Sequence, residues 1–407
     1  MNKMYIFSAI ILVLLLSYAV IGTELFFNPP PVKLVNSTTA VESPGPNSIN
    51  GIPPAKNPGR DSERSQEPLA APQNKFQTPA RIYGIYSTSW VAGSKRIDTI
   101  IDFIKQTKIN TIVIDVKDDT GIISFPSEVP LAREIGAGSK RIANLKELLT
   151  RLKQEKIYTI ARIVVFKDPL LAQKHPEIAV QDKNGGLWRD RKGMTWVDPN
   201  NRMVWKYNLD IAKEAINLGF SEIQFDYVRF LSDGLLKNCI YPFSKGERKE
   251  DVIRNFLLYA KKDINAMGAP LSADIFGLVL SIQDDLNIGQ KLEKIAEAVD
   301  YISPMVYPSH YPKGSFGYNE PNRYPYEIIS KAMQDGTKRL NGSAAKFRPW
   351  LQDFDLGYPP YRSEQLAAQV KALEDNGIYD FLFWNPTNRY DLDRYSVFKN
   401  ESRPINQ

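Results

Sequence analysis

A chain of 407 residues has room for two or three average domains or for one eightfold α/β barrel of about 250 residues or more, and its 43% apolar and 11% aromatic content can fill a large core. The net charge of +6 arises from 52 basic and 46 acidic side chains interleaved without a long basic block, which argues against a nucleic-acid partner. A single cysteine excludes an internal disulfide, and with only two histidines and no Cys-x-x-Cys spacing a zinc or His-rich site is not expected, although a carboxylate-only site for a hard cation stays open.

The first uncharged stretch, Met4 to Thr23, contains Ile10-Ile11-Leu12-Val13-Leu14-Leu15-Leu16. At about 1.5 Å per residue it is as long as a bilayer core is thick, so residues 1–27 are expected to be a single-pass signal anchor. Lys3 should keep the short N-terminus cytoplasmic and the rest of the chain outside. Ser17-Tyr18-Ala19 and Gly22-Thr23-Glu24 are poor cleavage signals, which favours an uncleaved anchor over a secreted form. Residues 28–80 carry Pro29-Pro30-Pro31, Pro44-Gly45-Pro46, Pro53-Pro54 and Pro58-Gly59 among Ser, Asn, Thr and Ala, with no apolar period. Such a segment is expected to be a disordered spacer.

From residue 81 to 407 short β-rich runs alternate with helical periods. Arg81–Tyr86 reads as the first strand, followed by an apolar stripe Ile97, Ile100, Ile101, Ile104. Thr111–Val116 is the second, followed by Ile142, Leu145, Leu148, Leu149 and Leu152. Ile157–Val165 is the third; a helix from about Asn201 to Leu218 then follows Asp198-Pro199, a plausible cap and first-residue pair. Glu222–Asp226, Leu271–Ile275, Tyr301–Val306, Phe347–Leu351 and Tyr379–Trp384 are the remaining strands. Helices are expected between them over Asp251–Met267, Gln290–Val299, Pro325–Asp335 with Gly336 as a stop, and from a Ser363 cap to Asn376. Eight strands with apolar cores and seven intervening helices predict a (β/α)8 TIM barrel. A doubly wound open sheet is the competitor, but Ser87-Thr88-Ser89-Trp90 is no glycine-rich first turn.

In such a barrel the chemistry sits where the strands end. Those ends carry Asp115, Asp226 with Arg229, Asp274, Tyr307 with His310, Gln352-Asp353 and Trp384-Asn385. An acid isolated on an apolar strand needs a partner or a task. Glycoside hydrolysis uses two carboxyl groups, one as proton donor to the leaving oxygen and one as nucleophile or base. Asp226 and Asp274, on neighbouring strands, suit that pair. Arg229 is expected to keep Asp226 ionised, while Ile275, Phe276 and Leu278 around Asp274 suit a raised pKa and hence the acid; the reverse assignment stays open. Asp115 is a further substrate-binding candidate unless Lys117 simply neutralises it. Trp90, Trp188, Trp196, Tyr307, Tyr311 and Trp384 are candidate platforms for the apolar faces of sugars, and His310, Gln352, Asp353, Asn385 and Arg229 are candidate polar contacts. His175 reads as structural and Cys239 as inert. No motif calls for a cofactor or a resident metal.

Several segments resemble one family. They are Tyr83-Gly84-Ile85-Tyr86, the run from Val113 to Gly121, Trp196-Val197-Asp198-Pro199, the run from Phe225 to Phe230, the run from Ser272 to Gly277, and the run from Ser303 to Tyr311. The chain is similar to a bacterial glycoside hydrolase-type domain family, TIM barrels distantly related to α-amylase-like and polygalactosaminidase-like enzymes. The resemblance implies a glycosidase barrel in which Asp226 matches the strand-four acid. On strand five the α-amylase pattern carries Glu where this chain has Asp274. The expected function is hydrolysis of an extracellular or cell-wall polysaccharide. The alternative is a carbohydrate-binding barrel without catalysis, and a deacetylase is disfavoured by the scarcity of histidine.

Overall fold

A computed structural model describes residues 78–400. The expected anchor and the spacer up to residue 77 lie outside the described residues. Among the described residues no helix is long and apolar enough to cross a membrane.

The barrel strands are β1 (Tyr83–Ser87), β2 (Thr111–Lys117), β3 (Tyr158–Val164), β4 (Glu222–Asp226), β5 (Leu271–Phe276), β6 (Tyr301–Met305), β7 in two pieces (Lys346–Phe347 and Trp350–Gln352) and β8 (Phe381–Trp384). Each pairs in parallel with the next, and β8 pairs with β1 through Tyr83↔Phe381 to Ile85↔Phe383, so the sheet closes. The break in β7 falls at Arg348-Pro349, where proline removes a ladder donor. Its first piece lies on β6 and its second on β8.

Seven helices return the chain between strands: α1 (Arg96–Gln106), α2 (Leu145–Gln154), α3 (Arg202–Leu218), α4 (Lys249–Ala266), α5 (Leu292–Ala296), α6 (Pro325–Arg339) and α7 (Ser363–Glu374). Three boundaries differ from expectation for identifiable reasons. Helix α3 is capped by Asn201, whose Oδ1 accepts from Met203 N and Val204 N. Asp198 instead accepts from Asn200 and Phe243, pinning the loop ahead of the helix. Gly336 does not stop α6 but lies buried inside it, where a Cβ would meet Leu280 Cδ2 at 2.9 Å and Phe347 Cζ at 3.1 Å. Ser363 is the first helical residue of α7 rather than its cap.

Side chains alternate through the barrel wall with the period of two that strands impose. Ile112, Ile114, Val116, Ala161, Ile163, Ile223, Phe225, Ala273 and Ile275 face outward into the main core beneath the helices. Ile82, Tyr86, Val113, Tyr158, Ile160, Trp350 and Leu382 form a second, smaller core inside the barrel. The inner positions that continue this alternation are polar: Asp115 on β2, Arg162 on β3, Glu222, Gln224 and Asp226 on β4, and Ser272 and Asp274 on β5, all buried. At the N-terminal floor Glu222 accepts from Arg348 Nη1 at 2.6 Å, Ser272 Oγ at 2.7 Å and Tyr158 Oη at 3.2 Å.

Candidate active site

The C-terminal mouth is organised by Arg162, the one charged side chain on β3. Its Nη1 donates to Asp115 Oδ1 at 2.6 Å, and Nε and Nη2 both donate to Asp226 Oδ2, the former at 3.1 Å. The same Nε lies 4.0 Å from Asp274 Oδ2. One guanidinium therefore gathers acids from three strands. Such charge-assisted bonds are among the stronger ones, and the fork geometry of arginine suits two carboxylates at once.

Local structure fixes each acid. Tyr227, directly after Asp226, adopts φ +50°, which turns its N–H onto Asp226 Oδ1 at 2.6 Å. This left-handed conformation is uncommon for a non-glycine residue and is held in place by the bonds around it. Asp274 Oδ1 accepts Trp350 Nε1 at 2.8 Å. Burial, and after it the charge of Asp226, pushes the Asp274 carboxyl well above the usual carboxylate range, against the opposing pull of Arg162 and Trp350. Burial likewise raises Asp115, whose Oδ2 accepts Tyr86 Oη at 2.5 Å.

Two adjoining chambers open over this cluster. The deeper one is lined by Arg162, Asp226, Asp274, Trp350, Phe354 and Trp384. The outer one is lined by Trp196, Arg229, Phe276, Gly277, Tyr311 and Lys192 among others. Lys192, Asp226, Tyr227, Met305, Tyr307 and His310 border both. Trp384 stacks on Tyr86 with ring centroids 3.9 Å apart and meets Trp350 edge-on, giving the deeper chamber a rigid aromatic corner. His310 packs against Tyr307 and Phe354, and burial lowers its pKa to about 4, so it is a neutral imidazole there at neutral pH.

The structure brings together Asp226, Asp274, Tyr307, His310, Trp384, Trp196 and Arg229 around these chambers. Asp115 lies close by, but behind Arg162 and Tyr86. The expected Arg229–Asp226 pairing is replaced by Arg162–Asp226; Arg229 packs instead against Trp196, Tyr227 and Phe276. Lys117 does not neutralise Asp115. A register shift between Asp115 and Lys117 turns the lysine to Asp168, with Nζ to Oδ2 at 2.6 Å.

Gln352, Asp353 and Asn385 do not line either chamber. Gln352 is bonded to Ser309 N, Asn322 and Phe354 O. Asp353 is held by Asn385, Tyr395 and Arg394, and burial raises its pKa to about 6. These three brace the loops beyond β7 and β8. Trp90 is 63% exposed, with the Arg141 guanidinium over its ring, and Trp188 is buried with its Nε1 on Leu235 O.

Sequence reasoning missed Arg162, Tyr86 and Trp350. The signal for Arg162 was present: a single cation in a strand otherwise apolar enough to be buried throughout, beside strands ending in acids. Among the described residues no group of three or more His, Cys, Asp or Glu side chains is arranged to hold a metal ion.

Among solved structures, a hypothetical protein from Ruminiclostridium thermocellum is 40% identical, over 50% of this chain and 98% of that chain, with a TM-score of 0.44. The glycoside hydrolase domain of PgaB (BpsB) from Bordetella bronchiseptica is 14% identical, over 78% of this chain and 96% of its own, with a TM-score of 0.56. An α-galactosidase from Thermus thermophilus in complex with stachyose is 13% identical, over 79% and 65%, with a TM-score of 0.50. At these identities the last two share the fold. No curated protein matches the sequence. Residues 84–390, the whole barrel from β1 to beyond β8, match the family described as "Putative glycosyl hydrolase domain", and the chain belongs to that family.

Proposed function

We propose that the barrel cleaves a glycosidic bond of an extracellular or cell-wall polysaccharide, with Asp226 as nucleophile or base and Asp274 as acid. The observation that carries this reading is the convergence of two inward carboxylates from neighbouring strands on one Arg162 Nε, at 3.1 and 4.0 Å. Two atoms that close to a common third are at most about 7 Å apart. That bound spans the roughly 5–5.5 Å separation of retaining enzymes and only the lower part of the roughly 6.5–9.5 Å inverting range.

Burial and the neighbouring Asp226 charge favour the protonated form of Asp274, as a donor to the leaving oxygen requires. Asp226 receives donors on both oxygens, from Arg162 and from the Tyr227 N–H, which hold its carboxyl in place at the edge of the cavity it borders. The Trp384–Tyr86–Trp350 corner offers an apolar face against which a sugar ring can lie. The apolar segment and proline-rich spacer that precede the barrel support a membrane-tethered, extracytoplasmic setting.

The test is reducing-end release from a panel of polysaccharides by the full-length chain in mild detergent, beside Asp226→Asn and Asp274→Asn. Release by the wild type that falls about 10²–10⁴-fold in each variant is the expected result. Equal release by Asp226→Asn removes that residue from the mechanism. Binding without release by the wild type supports the carbohydrate-binding alternative.

A further inference from the structure

We propose that the outer chamber is a subsite for an acidic sugar residue, one bearing a carboxylate, anchored by the Arg229 guanidinium. The proposal rests on the glycosidase reading and names the class of glycan it acts on.

Arg229 is only 7% exposed, yet no carboxylate of the described residues forms an ion pair with it. Among the described residues its one hydrogen bond runs from Nη1 to Phe230 O at 3.1 Å, so most of the five guanidinium donors have no partner there. Three rings fix its orientation: Trp196 at 4.9 Å, Phe276 at 5.0 Å and Tyr227 at 5.2 Å from the central carbon. A buried cation without a counterion is costly, and an aromatic cage recovers only part of that cost. A planar guanidinium held still, with free donors lining a cavity, matches a carboxylate in bidentate geometry.

The acids of the same wall bond to groups other than Arg229. Asp190 accepts Lys192 N and Met194 N at 2.9 Å and Trp196 Nε1 at 3.2 Å; Asp233 accepts Arg191 N at 3.3 Å; Asp226 faces Arg162. Lys167, on the same wall, is paired with Asp119 at 2.7 Å, which leaves Arg229 as the cation whose charge no described carboxylate meets. Because Asp226 borders both chambers, an acidic unit seated on Arg229 lies one step from the linkage placed over Asp226 and Asp274.

The test titrates full-length wild type, Arg229→Gln and Arg229→Lys with oligogalacturonate, oligoglucuronate and the carboxyl-reduced counterpart of each. Reducing-end release from the parent polymers is measured alongside. The wild type should bind at least one acidic oligosaccharide tenfold or more tightly than its reduced counterpart. Arg229→Gln should erase that gap, and Arg229→Lys should restore part of it. A wild type that binds no acidic oligosaccharide more tightly than its reduced form overturns the proposal. So does an Arg229→Gln chain in which both affinities fall and the gap persists, because arginine would then only brace the rings. Should Arg229→Gln fail to fold, the wild-type pairs and Arg229→Lys still decide. Release from neutral polymers without an acidic preference overturns this inference and leaves the glycosidase reading standing. Acid-selective binding with no release from any polymer does the reverse.

Discussion

Replacing Arg162 by methionine keeps an unbranched stem as far as the position of Nε and removes the cation that pairs with the acids at the mouth of the barrel. Asp115 and Asp226 are 5% and 7% exposed, and Arg162 is the salt-bridge partner of both. Without it at least one acid must take up a proton for the chain to remain folded. From an unfolded carboxyl pKa of about 3.9, at about 1.36 kcal/mol per pH unit, that costs about 4 kcal/mol at pH 7 and about 1.5 kcal/mol at pH 5. The sign follows from proton uptake. The folded variant holds a proton that the unfolded chain has released, so its stability falls as pH rises above the unfolded value. The pH 7 figure agrees with the roughly 3–5 kcal/mol typical of breaking a buried pair. Urea unfolding of wild type and Arg162→Met, followed by tryptophan fluorescence at both pH values, measures it. A loss under about 1 kcal/mol at pH 7, or one as large at pH 5, would refute the electrostatic account of the site.

Three further outcomes are expected. Trp350→Phe removes the donor that holds Asp274 down, so the alkaline limb of the kcat profile, where the acid loses its proton, should move to higher pH; no shift, or a downward one, contradicts the acid assignment. Gly277→Ala would place a Cβ 2.6 Å from Met305 O and 2.7 Å from Tyr311 Oη, so it should cost about 1–3 kcal/mol in urea unfolding, and an equally stable variant would show that the turn yields. Glu222→Gln leaves Arg348 buried on the floor without its counterion and should cost about 3–5 kcal/mol, whereas a change under 1 kcal/mol would mean the pair contributes little.

The barrel was legible because its signals are local. Apolar runs such as Thr-Ile-Val-Ile at 111–114 and stripes such as Ile97 to Ile104 repeat at strand and helix periods, and the observed elements follow them closely. Asp226 and Asp274 stood out as acids on apolar strands. Their partner did not, because Arg162 lies 64 residues before Asp226 and meets it only through the pairing of β3 with β4. The nearer cation, Arg229, is three residues away, but the left-handed turn at Tyr227 sends it to the other chamber. Gln352, Asp353 and Asn385 end their strands as expected, yet bond to loop residues as far off as Tyr395, which no local pattern reveals.

Strand β4 carries Glu222 at one end and Asp226 at the other, about 13 Å apart at roughly 3.3 Å per residue. Water normally damps a charge over that span, but here the path runs through packed protein, and Glu222 still contributes to raising Asp274. A residue buried at the base thus adds to the upward shift of the carboxyl proposed as proton donor at the opposite rim. On that assignment, selection for more acidic or more alkaline surroundings can act on the foundation of the barrel without changing either proposed catalytic acid.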